Sequence, residues 1–264
     1  MHSAGTVAKV LGLRQAGHGA CEIARRTGVP RRTVADWTSG KLPRSFVGAS
    51  RASSPRGTPA CARCGGDEHD FGQLPPEYVY LLGIYLGDGC ISEHRRGVHR
   101  LRVSLDLRYP RVVDETREAI GCVLPHNKVH LVRRRSNYVD RPEPSHVEVS
   151  AYSKQLACLF PQHGPGRKHD RRIRLTRWQR DLVGASPQSL IRGLIHSDGC
   201  RFINTGRRWR HPRYAFSNLS EDIREIFCDG CDLLALHWTR AGNTIYVSRK
   251  ADVALLDTFV GPKR

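Results

Sequence analysis

The 264-residue sequence has few acidic residues, few lysines and no long apolar segment. Asp and Glu number 25 against 43 Lys and Arg, so the formal net charge is +18 at pH 7. No apolar run approaches the roughly 18 residues of a membrane helix, which excludes a membrane span. The amino-terminal sequence also lacks the charged and apolar regions of a signal peptide, so we expect a cytoplasmic protein.

The basic residues are mostly arginine, with 36 Arg against 7 Lys. The planar guanidinium group binds phosphate or guanine through two parallel hydrogen bonds, so an arginine excess favours a nucleic-acid partner. GC-rich codons would explain Arg in place of Lys, but they would not explain the shortage of carboxylates. The hydrophobic fraction of 39% is typical of a folded chain, and the length allows one or two domains.

Residues 1–43 have the pattern of three short helices. Apolar residues at helical spacing are separated by glycines at positions 17, 19 and 28. Two short helices joined by a glycine-containing turn are typical of a helix-turn-helix, whose last helix enters the major groove. The pattern A-x-x-T-G-V-x-x-x-T-V-x-x-W resembles resolvase-like and repressor-like modules. We therefore expect DNA contacts from Arg31, Arg32, Thr33 and Asp36, although a helical bundle without a DNA role has the same pattern.

A basic linker and a cysteine knuckle are predicted between residues 44 and 74. Residues 44–60 are rich in Ser, Pro, Gly and Arg, which is typical of a flexible linker. In the segment 61–74, Cys61 and Cys64 form a C-x-x-C pair that supplies half of a tetrahedral zinc site. The other half stays open between nearby His69 and a distant second pair, Cys228 and Cys231. That second pair lies in a predicted amphipathic helix, where two core thiols are also expected.

Two copies of one motif give the most specific signal in the sequence. Residues 81–90 read LLGIYLGDGC, and residues 190–200 read LIRGLIHSDGC. In each copy two small residues lie four positions apart, on one face of a helix: Gly83 and Gly87 in the first copy, Gly193 and Ser197 in the second. Small residues at this spacing let two helix backbones approach closely, and the Asp-Gly pair ends each helix.

Side-by-side packing of these helices would bring Asp88 and Asp198 together at the carboxyl ends. The two carboxylates repel each other, and the helix dipoles add negative potential, so the pair requires a divalent cation. Carboxylates that share Mg²⁺ near DNA are typical of phosphodiester hydrolysis. One copy alone would be an ordinary buried helix with an Asp-Gly turn, but two copies with matching flanks favour a site.

The two motifs resemble the paired signatures of LAGLIDADG (dodecapeptide, DOD-type) homing endonucleases, over about residues 75–264. The resemblance implies an α+β fold of two pseudosymmetric αββαββα repeats, at residues 75–165 and 187–264, joined by a basic connector at 166–186. It implies a monomer whose two sheets lie in the major groove of double-stranded DNA. It also implies that Asp88 and Asp198 bind Mg²⁺ and catalyse double-strand cleavage. The helix-turn-helix domain would precede the repeats.

Sequence periodicity fits this repeat order. The predicted strands are residues 101–107, 128–134, 146–152, 201–204, 214–218 and 243–248, and the predicted helices after the first motif are 110–121, 153–160, 220–236 and 250–260. His196 interrupts the apolar run of the second motif, either as a buried polar residue or as a contact with the site.

Basic residues near the predicted strands are the candidate catalytic and DNA-binding cations. In the family a basic residue at the strand-to-helix junction stabilises charge near the scissile phosphate, so Lys154 and Lys250 are assigned to catalysis. Two solvated lysines at helix starts are the alternative. The candidate DNA contacts in the repeats are Arg102, Lys128, Arg133, Arg135, Arg208 and Arg213, together with the neighbouring Arg100, His130, Arg134, Arg207, Arg210 and Arg249.

Two functions fit these observations. The first is a homing-type, site-specific DNA endonuclease, which the retained Asp88 and Asp198 favour. The second is a non-catalytic transcription regulator on a LAGLIDADG-derived fold. With either function we expect the protein to be associated with the nucleoid. Three features favour the second function: the helix-turn-helix, the cysteine pair and the absence of residues for intein splicing at either end. The absence of splicing residues also predicts a free-standing protein.

Overall fold

The computed structural model describes residues 3–43, 61–66, 68–135, 143–206, 210–261 and residue 263. The chain divides into two compact units, Met1–Thr58 and Pro59–Arg264. The predicted linker at 44–60, and Arg207 and Arg208, lie outside the described residues. Within the described ranges, no helix combines the length and the apolar character that crossing a membrane requires.

The first unit contains three helices: α1 (Ala4–Gln15), α2 (Ala20–Thr27) and α3 (Arg31–Thr38). Their inward faces form a small core of Val7, Val10, Ile23, Val29, Val34 and Trp37. Ser3 begins α1, because its side chain accepts a hydrogen bond from the Thr6 N–H. Gly28 ends α2 with φ at +71°, a left-handed conformation that lets the chain turn into α3.

The second unit contains two repeats with the same order of elements. The first repeat comprises α4 (Glu77–Gly87), β1 (Gly89–Glu93), β2 (His99–Asp106), α5 (Pro110–Val123), β3 (Val129–Arg134), β4 (His146–Ser153) and α6 (Leu156–Leu159). After α7 (Arg177–Ala185), the second repeat comprises α8 (Pro187–Asp198), β5 (Gly199–Thr205), β6 (Arg210–Ser217), α9 (Glu221–Leu233), β7 (Trp238–Ala241), β8 (Thr244–Val247) and α10 (Lys250–Phe259). The α+β fold with two αββαββα repeats is therefore confirmed.

Each repeat folds its strands into an antiparallel sheet of equivalent topology. The strand orders are β1-β2-β4-β3 and β5-β6-β8-β7. One face of each sheet is buried in the core: Leu101, Val103, Val147 and Val149 in the first sheet, and Tyr214, Phe216, Ile245 and Val247 in the second. Because side chains alternate along a strand, Arg102 and Arg213 lie on the opposite faces.

A single apolar core extends through both repeats and includes the two motif helices, α4 and α8. Every residue of α4 from Tyr78 to Leu86 is buried, which agrees with its apolar character on all sides. The amphipathic helices α5 and α9 bury one face each against this core. The motif helices are therefore the central elements of the unit.

The structure differs from the sequence-based prediction at three short elements. The strands β1 and β7 were not predicted; each has at most five residues and is largely solvent-accessible, so neither shows an apolar alternation. The helix α7 lies in the predicted connector. Its signal was the capping-box pair Thr176 and Gln179, in which the Gln179 Oε1 accepts hydrogen bonds from the Thr176 N–H and hydroxyl.

Candidate active site and nucleic-acid interface

The motif helices α4 and α8 contact each other through their backbones. A Cβ atom added at Gly83 would lie 2.7 Å from the Leu190 carbonyl oxygen and 2.8 Å from the Leu194 nitrogen. One added at Gly193 would lie 3.0 Å from the Gly83 Cα. Because these distances leave room only for hydrogen, glycine sets how closely the helices approach.

This packing brings Asp88 and Asp198 together at the helix carboxyl ends. A Cβ atom added at Gly87, the last residue of α4, would lie 2.9 Å from the Asp198 Oδ2. Burial and the nearby Asp198 carboxylate raise the pKa of Asp88 to about 6. Burial also raises the pKa of Asp198, whose Oδ2 accepts a hydrogen bond of 2.6 Å from the Asn218 amide.

Lys168 lies at the end of α4 beside these acids. Its ammonium group donates hydrogen bonds to the carbonyl oxygens of Tyr85, Leu86 and Gly87 at 2.6, 2.8 and 2.7 Å. Burial lowers the pKa of Lys168 to about 8, while the Asp198 and Asp88 carboxylates act in the opposite direction. Lys168 therefore caps the helix and places a positive charge near the acid pair.

Lys263 plays the equivalent part at the end of α8. Its ammonium group donates to the Ser197 carbonyl oxygen at 3.2 Å. Burial lowers the pKa of Lys263, and the carboxylates of Asp88 and Asp198 partly offset this effect. In each repeat, then, a lysine that follows the closing helix along the chain caps the motif helix of that repeat.

Two arginine-centred networks hold the segments that carry these lysines. Arg171 donates to the carbonyl oxygens of Gln162, Gly164 and Gly166, at 3.0, 3.1 and 2.9 Å, and so closes the loop before Lys168. Arg192 donates to the Val260 carbonyl oxygen at 2.9 Å and fixes the chain shortly before Lys263.

His196 is a buried part of the second network. Its Nε2 lies 3.0 Å from the Val260 carbonyl oxygen, which can only accept, so Nε2 donates. Its Nδ1, 3.1 Å from the Tyr80 hydroxyl, then accepts. Burial lowers the pKa of His196 to about 4, so it is a neutral, hydrogen-bonded core residue.

Lys154 and Lys250, the lysines that the sequence assigned to catalysis, are not the ones that cap the motif helices. Lys154 follows β4, Lys250 begins α10, and both side chains are exposed. The lysines that contribute to the electrostatic environment of Asp88 are Lys263 and Lys168. Their sequence signal was weak, because Lys168 begins a single 3₁₀ turn and Lys263 follows the last helix, and neither lies at a predicted element boundary.

The outer faces of the two sheets carry arginine. Arg102 lies opposite Cys90 and Ser150 in the register. The neighbouring Arg100 lies 5.2 Å from the centre of the Tyr152 ring, and Arg213 lies 4.6 Å from the Tyr246 ring. Arg100 also donates to the Glu148 carboxylate and the Ser150 hydroxyl, and Arg213 donates to the Ser248 hydroxyl. These contacts fix both guanidinium groups on the outer faces of the sheets.

The remaining predicted DNA contacts have different settings. Lys128, Arg133 and Arg135 are exposed at the edge strand β3, and Arg133 lies opposite Val147, in the row of core-facing residues. Arg208 lies outside the described residues. In the first unit, Arg31 and Arg32 are exposed at the start of α3, and Thr33 and Asp36 are half-buried.

The C-x-x-C pair of Cys61 and Cys64 does not meet the second pair, Cys228 and Cys231. Cys61 and Cys64 lie with His69 and Cys158, and the four ligand atoms are within 4.8 Å of one another. Cys228 and Cys231 lie on α9, where Cys231 is fully buried in the core. They do not complete the knuckle, because their thiols pack among apolar side chains of the second repeat.

Comparison with known proteins gives structural similarity alone. No family model and no curated protein matches the sequence. The N-terminal LAGLIDADG domain of DUF199/WhiA is 16% identical, with a TM-score of 0.44 over 75% of this chain and 88% of that one. The homing endonuclease I-WcaI bound to its DNA recognition sequence is 12% identical, with a TM-score of 0.47 over 72% and 83%. LAGLIDADG meganuclease I-AabMI bound to uncleaved DNA is 14% identical, with a TM-score of 0.40 over 69% and 82%. At these values the similarity does not identify an activity.

Proposed function

We propose that this protein is a divalent-metal-dependent, site-specific endonuclease that cleaves double-stranded DNA. The observation that carries the proposal is the juxtaposition of Asp88 and Asp198 by the backbone contact between α4 and α8. Because both acids come from one chain, the proposed active unit is a monomer. A chromosomal DNA target would place the protein in the cytoplasm, at the nucleoid.

The acid pair suits Mg²⁺. Mg²⁺ prefers oxygen ligands. Burial of both carboxylates, and the Asp198 charge beside Asp88, disfavour their ionised forms, and a bound divalent cation would offset that cost. Mg²⁺ bound there would supply a nucleophilic water at neutral pH and neutralise charge on the scissile phosphate. Asn218 would hold the Asp198 carboxylate in place, and Lys168 and Lys263 would stabilise negative charge that develops on the phosphate.

A second candidate function is DNA binding without cleavage. It is favoured by Lys168 and Lys263, whose ammonium groups already offset the charge of the acid pair. On this alternative the same arginine-bearing sheets bind DNA and the lysines take the place of a metal. The three-helix unit would add a second DNA contact in either case.

Cleavage of a randomised DNA duplex library separates the two functions. The purified protein is incubated with the library in Ca²⁺ and in Mg²⁺, and both the bound molecules and the new ends are sequenced. An endonuclease produces new ends at one enriched sequence in Mg²⁺. Asp88→Asn and Asp198→Asn proteins should lose cleavage by at least about 100-fold and keep binding.

The matched control is Asp114→Asn, which removes an exposed carboxylate on α5 of the same repeat. It should cut as well as the unmodified protein. Enrichment of a bound sequence without new ends in either metal would overturn the endonuclease proposal and support the regulator.

A further inference from the structure

The knuckle and the first repeat supply four metal-ligand atoms to one point. The Sγ atoms of Cys61 and Cys158 are 3.6 Å apart, and the Cys64 Sγ lies 3.2 Å from the His69 Nε2. Cys64 and Cys158 are buried, and Cys61 and His69 are half-buried. Within the ranges that the structure describes, these four form the single cluster of His, Cys, Asp or Glu with this geometry.

The spacing matches the edges of a zinc tetrahedron. With Zn–S bonds of about 2.3 Å and Zn–N bonds of about 2.0 Å, the tetrahedral edges are about 3.8 Å between sulfurs and about 3.5 Å between sulfur and nitrogen. A disulfide needs its two sulfurs about 2.05 Å apart, much closer than the Cys61 and Cys158 thiols. The four atoms therefore surround a space that suits a metal ion rather than a disulfide.

Backbone hydrogen bonds close the knuckle into a tight turn that carries Cys61 and Cys64. The Cys61 N–H donates to the Gly66 carbonyl oxygen, and the Gly65 N–H donates to the Cys61 carbonyl oxygen, both at 2.8 Å. Gly65 has φ of +67°, which favours glycine there. The Gly66 N–H lies 3.4 Å from the Cys64 Sγ and stabilises negative charge on that sulfur.

We propose that Cys61, Cys64, His69 and Cys158 bind one Zn²⁺ ion that fastens the knuckle to the first repeat. Three thiolates and one imidazole in a tetrahedron are a closed set that suits Zn²⁺ and leaves no position for substrate, so the ion is structural. The assignment is independent of whether the protein cuts DNA.

The position of Cys158, the fourth proposed ligand, indicates that the ion would attach the knuckle to the first repeat. Cys158 lies on α6, between the core residues Leu156 and Leu159. On the other side, Phe71 stacks on Trp178 of α7 with ring centroids 4.1 Å apart. The metal and the aromatic stack together would fix the knuckle against both the first repeat and α7. The described part of the second unit would then begin, at Cys61, with a segment that is fixed to the rest of that unit.

Metal analysis of the protein as purified tests the proposal. We expect one zinc per chain by elemental mass spectrometry, and loss of at least half of it in Cys158→Ser and in Cys61→Ser under the same dialysis. Cys61 is the more accessible ligand, so its substitution tests the site even if Cys158→Ser does not fold. The matched control, Cys122→Ser, removes an exposed thiol on α5 and should keep one zinc.

Two further measurements separate this site from adventitious binding. Co²⁺ in place of zinc should give the intense visible bands of a tetrahedral thiolate site, and these should weaken in Cys158→Ser. Trypsin should cut after the exposed Arg63 at least tenfold faster once zinc is removed. Less than about 0.2 zinc per chain with no cobalt bands, or zinc lost from Cys228→Ser but kept in Cys61→Ser, would overturn the proposal.

Discussion

At the scale of single residues, Asp88 has the least ordinary environment of the candidate site. Its carboxyl is buried next to a second carboxylate, and its pKa rises from 3.8 to about 6. A raised pKa means that the folded protein holds this proton more tightly than the unfolded chain does. The site therefore destabilises the fold wherever Asp88 is ionised and no cation is bound.

The consequence is a pH-dependent effect of Asp88→Asn. The free energy of unfolding of the unmodified protein should fall as pH rises from 3.8 to about 6. The whole loss, about 3 kcal/mol, is reached above that interval. In buffer without Mg²⁺, Asp88→Asn should therefore raise the thermal midpoint at pH 7.5 and raise it only about a third as much at pH 4.5. Asp114→Asn serves as the control. An equal effect of Asp88→Asn at both pH values would contradict the assigned pKa.

Lys168 offers a second prediction at this scale. Substitution to Met removes three charge-assisted hydrogen bonds to the end of α4 and should cost about 2–3 kcal/mol of unfolding free energy, measured by urea denaturation. Lys154→Met removes an exposed lysine and should change stability by less than about 0.5 kcal/mol. If Lys154 is instead the catalytic lysine, its substitution will reduce cleavage more than Lys168→Met does.

At the scale of elements, the contact between α4 and α8 organises the second unit. The contact is made by glycine, so the two backbones meet without intervening side chains. Interhelical approach this close is rarely compatible with a Cβ atom. Stability should therefore respond sharply to a single methyl group at this contact.

Gly83→Ala and Gly121→Ala make a matched pair of substitutions. At Gly83 the added Cβ meets backbone atoms at 2.7–2.9 Å, so we expect a loss of about 3 kcal/mol or more. At Gly121, in α5, nothing lies within 4 Å, and alanine should gain up to about 1 kcal/mol through its helix propensity. Similar denaturation midpoints for the two variants would show that the helices are not in backbone contact.

The sequence predicts long elements and repeated motifs better than short or irregular ones. The motif helices and α5 show clear apolar periodicity, whereas β1 and β7 are too short and too exposed to show any. The proposed ligand Cys158 was not recognised because it lies in an apolar run, where a thiol resembles a core residue. Lys168 and Lys263 were missed because loop geometry, rather than periodicity, brings them to the acids.

At the scale of the whole molecule, positive charge is spread over both compact units. The first unit presents Arg31 and Arg32 at the start of α3, and the second carries arginines on both sheets. Binding by several such contacts depends strongly on salt, because each neutralised phosphate releases counterions.

This gives a prediction for the first unit. In the full chain, Arg31→Ala together with Arg32→Ala should lower the slope of log K against log salt by about 0.9 for each phosphate contact removed. Lys9→Ala, on the exposed side of α1, should leave the slope unchanged. Fluorescence anisotropy with a duplex of fixed length measures both. An unaltered slope in the double variant would mean that α3 does not contact phosphate.

The glycine contact between the motif helices also bears on how such a protein can diversify. The spacing of Asp88 and Asp198 is set by main-chain atoms, so it does not depend on the rotamers of neighbouring side chains. The outward positions of the sheets belong to different elements and can accept new residues without moving the acids. In the proposed endonuclease, substitutions at these outward positions would change target preference over generations and leave the geometry of the acid pair unchanged.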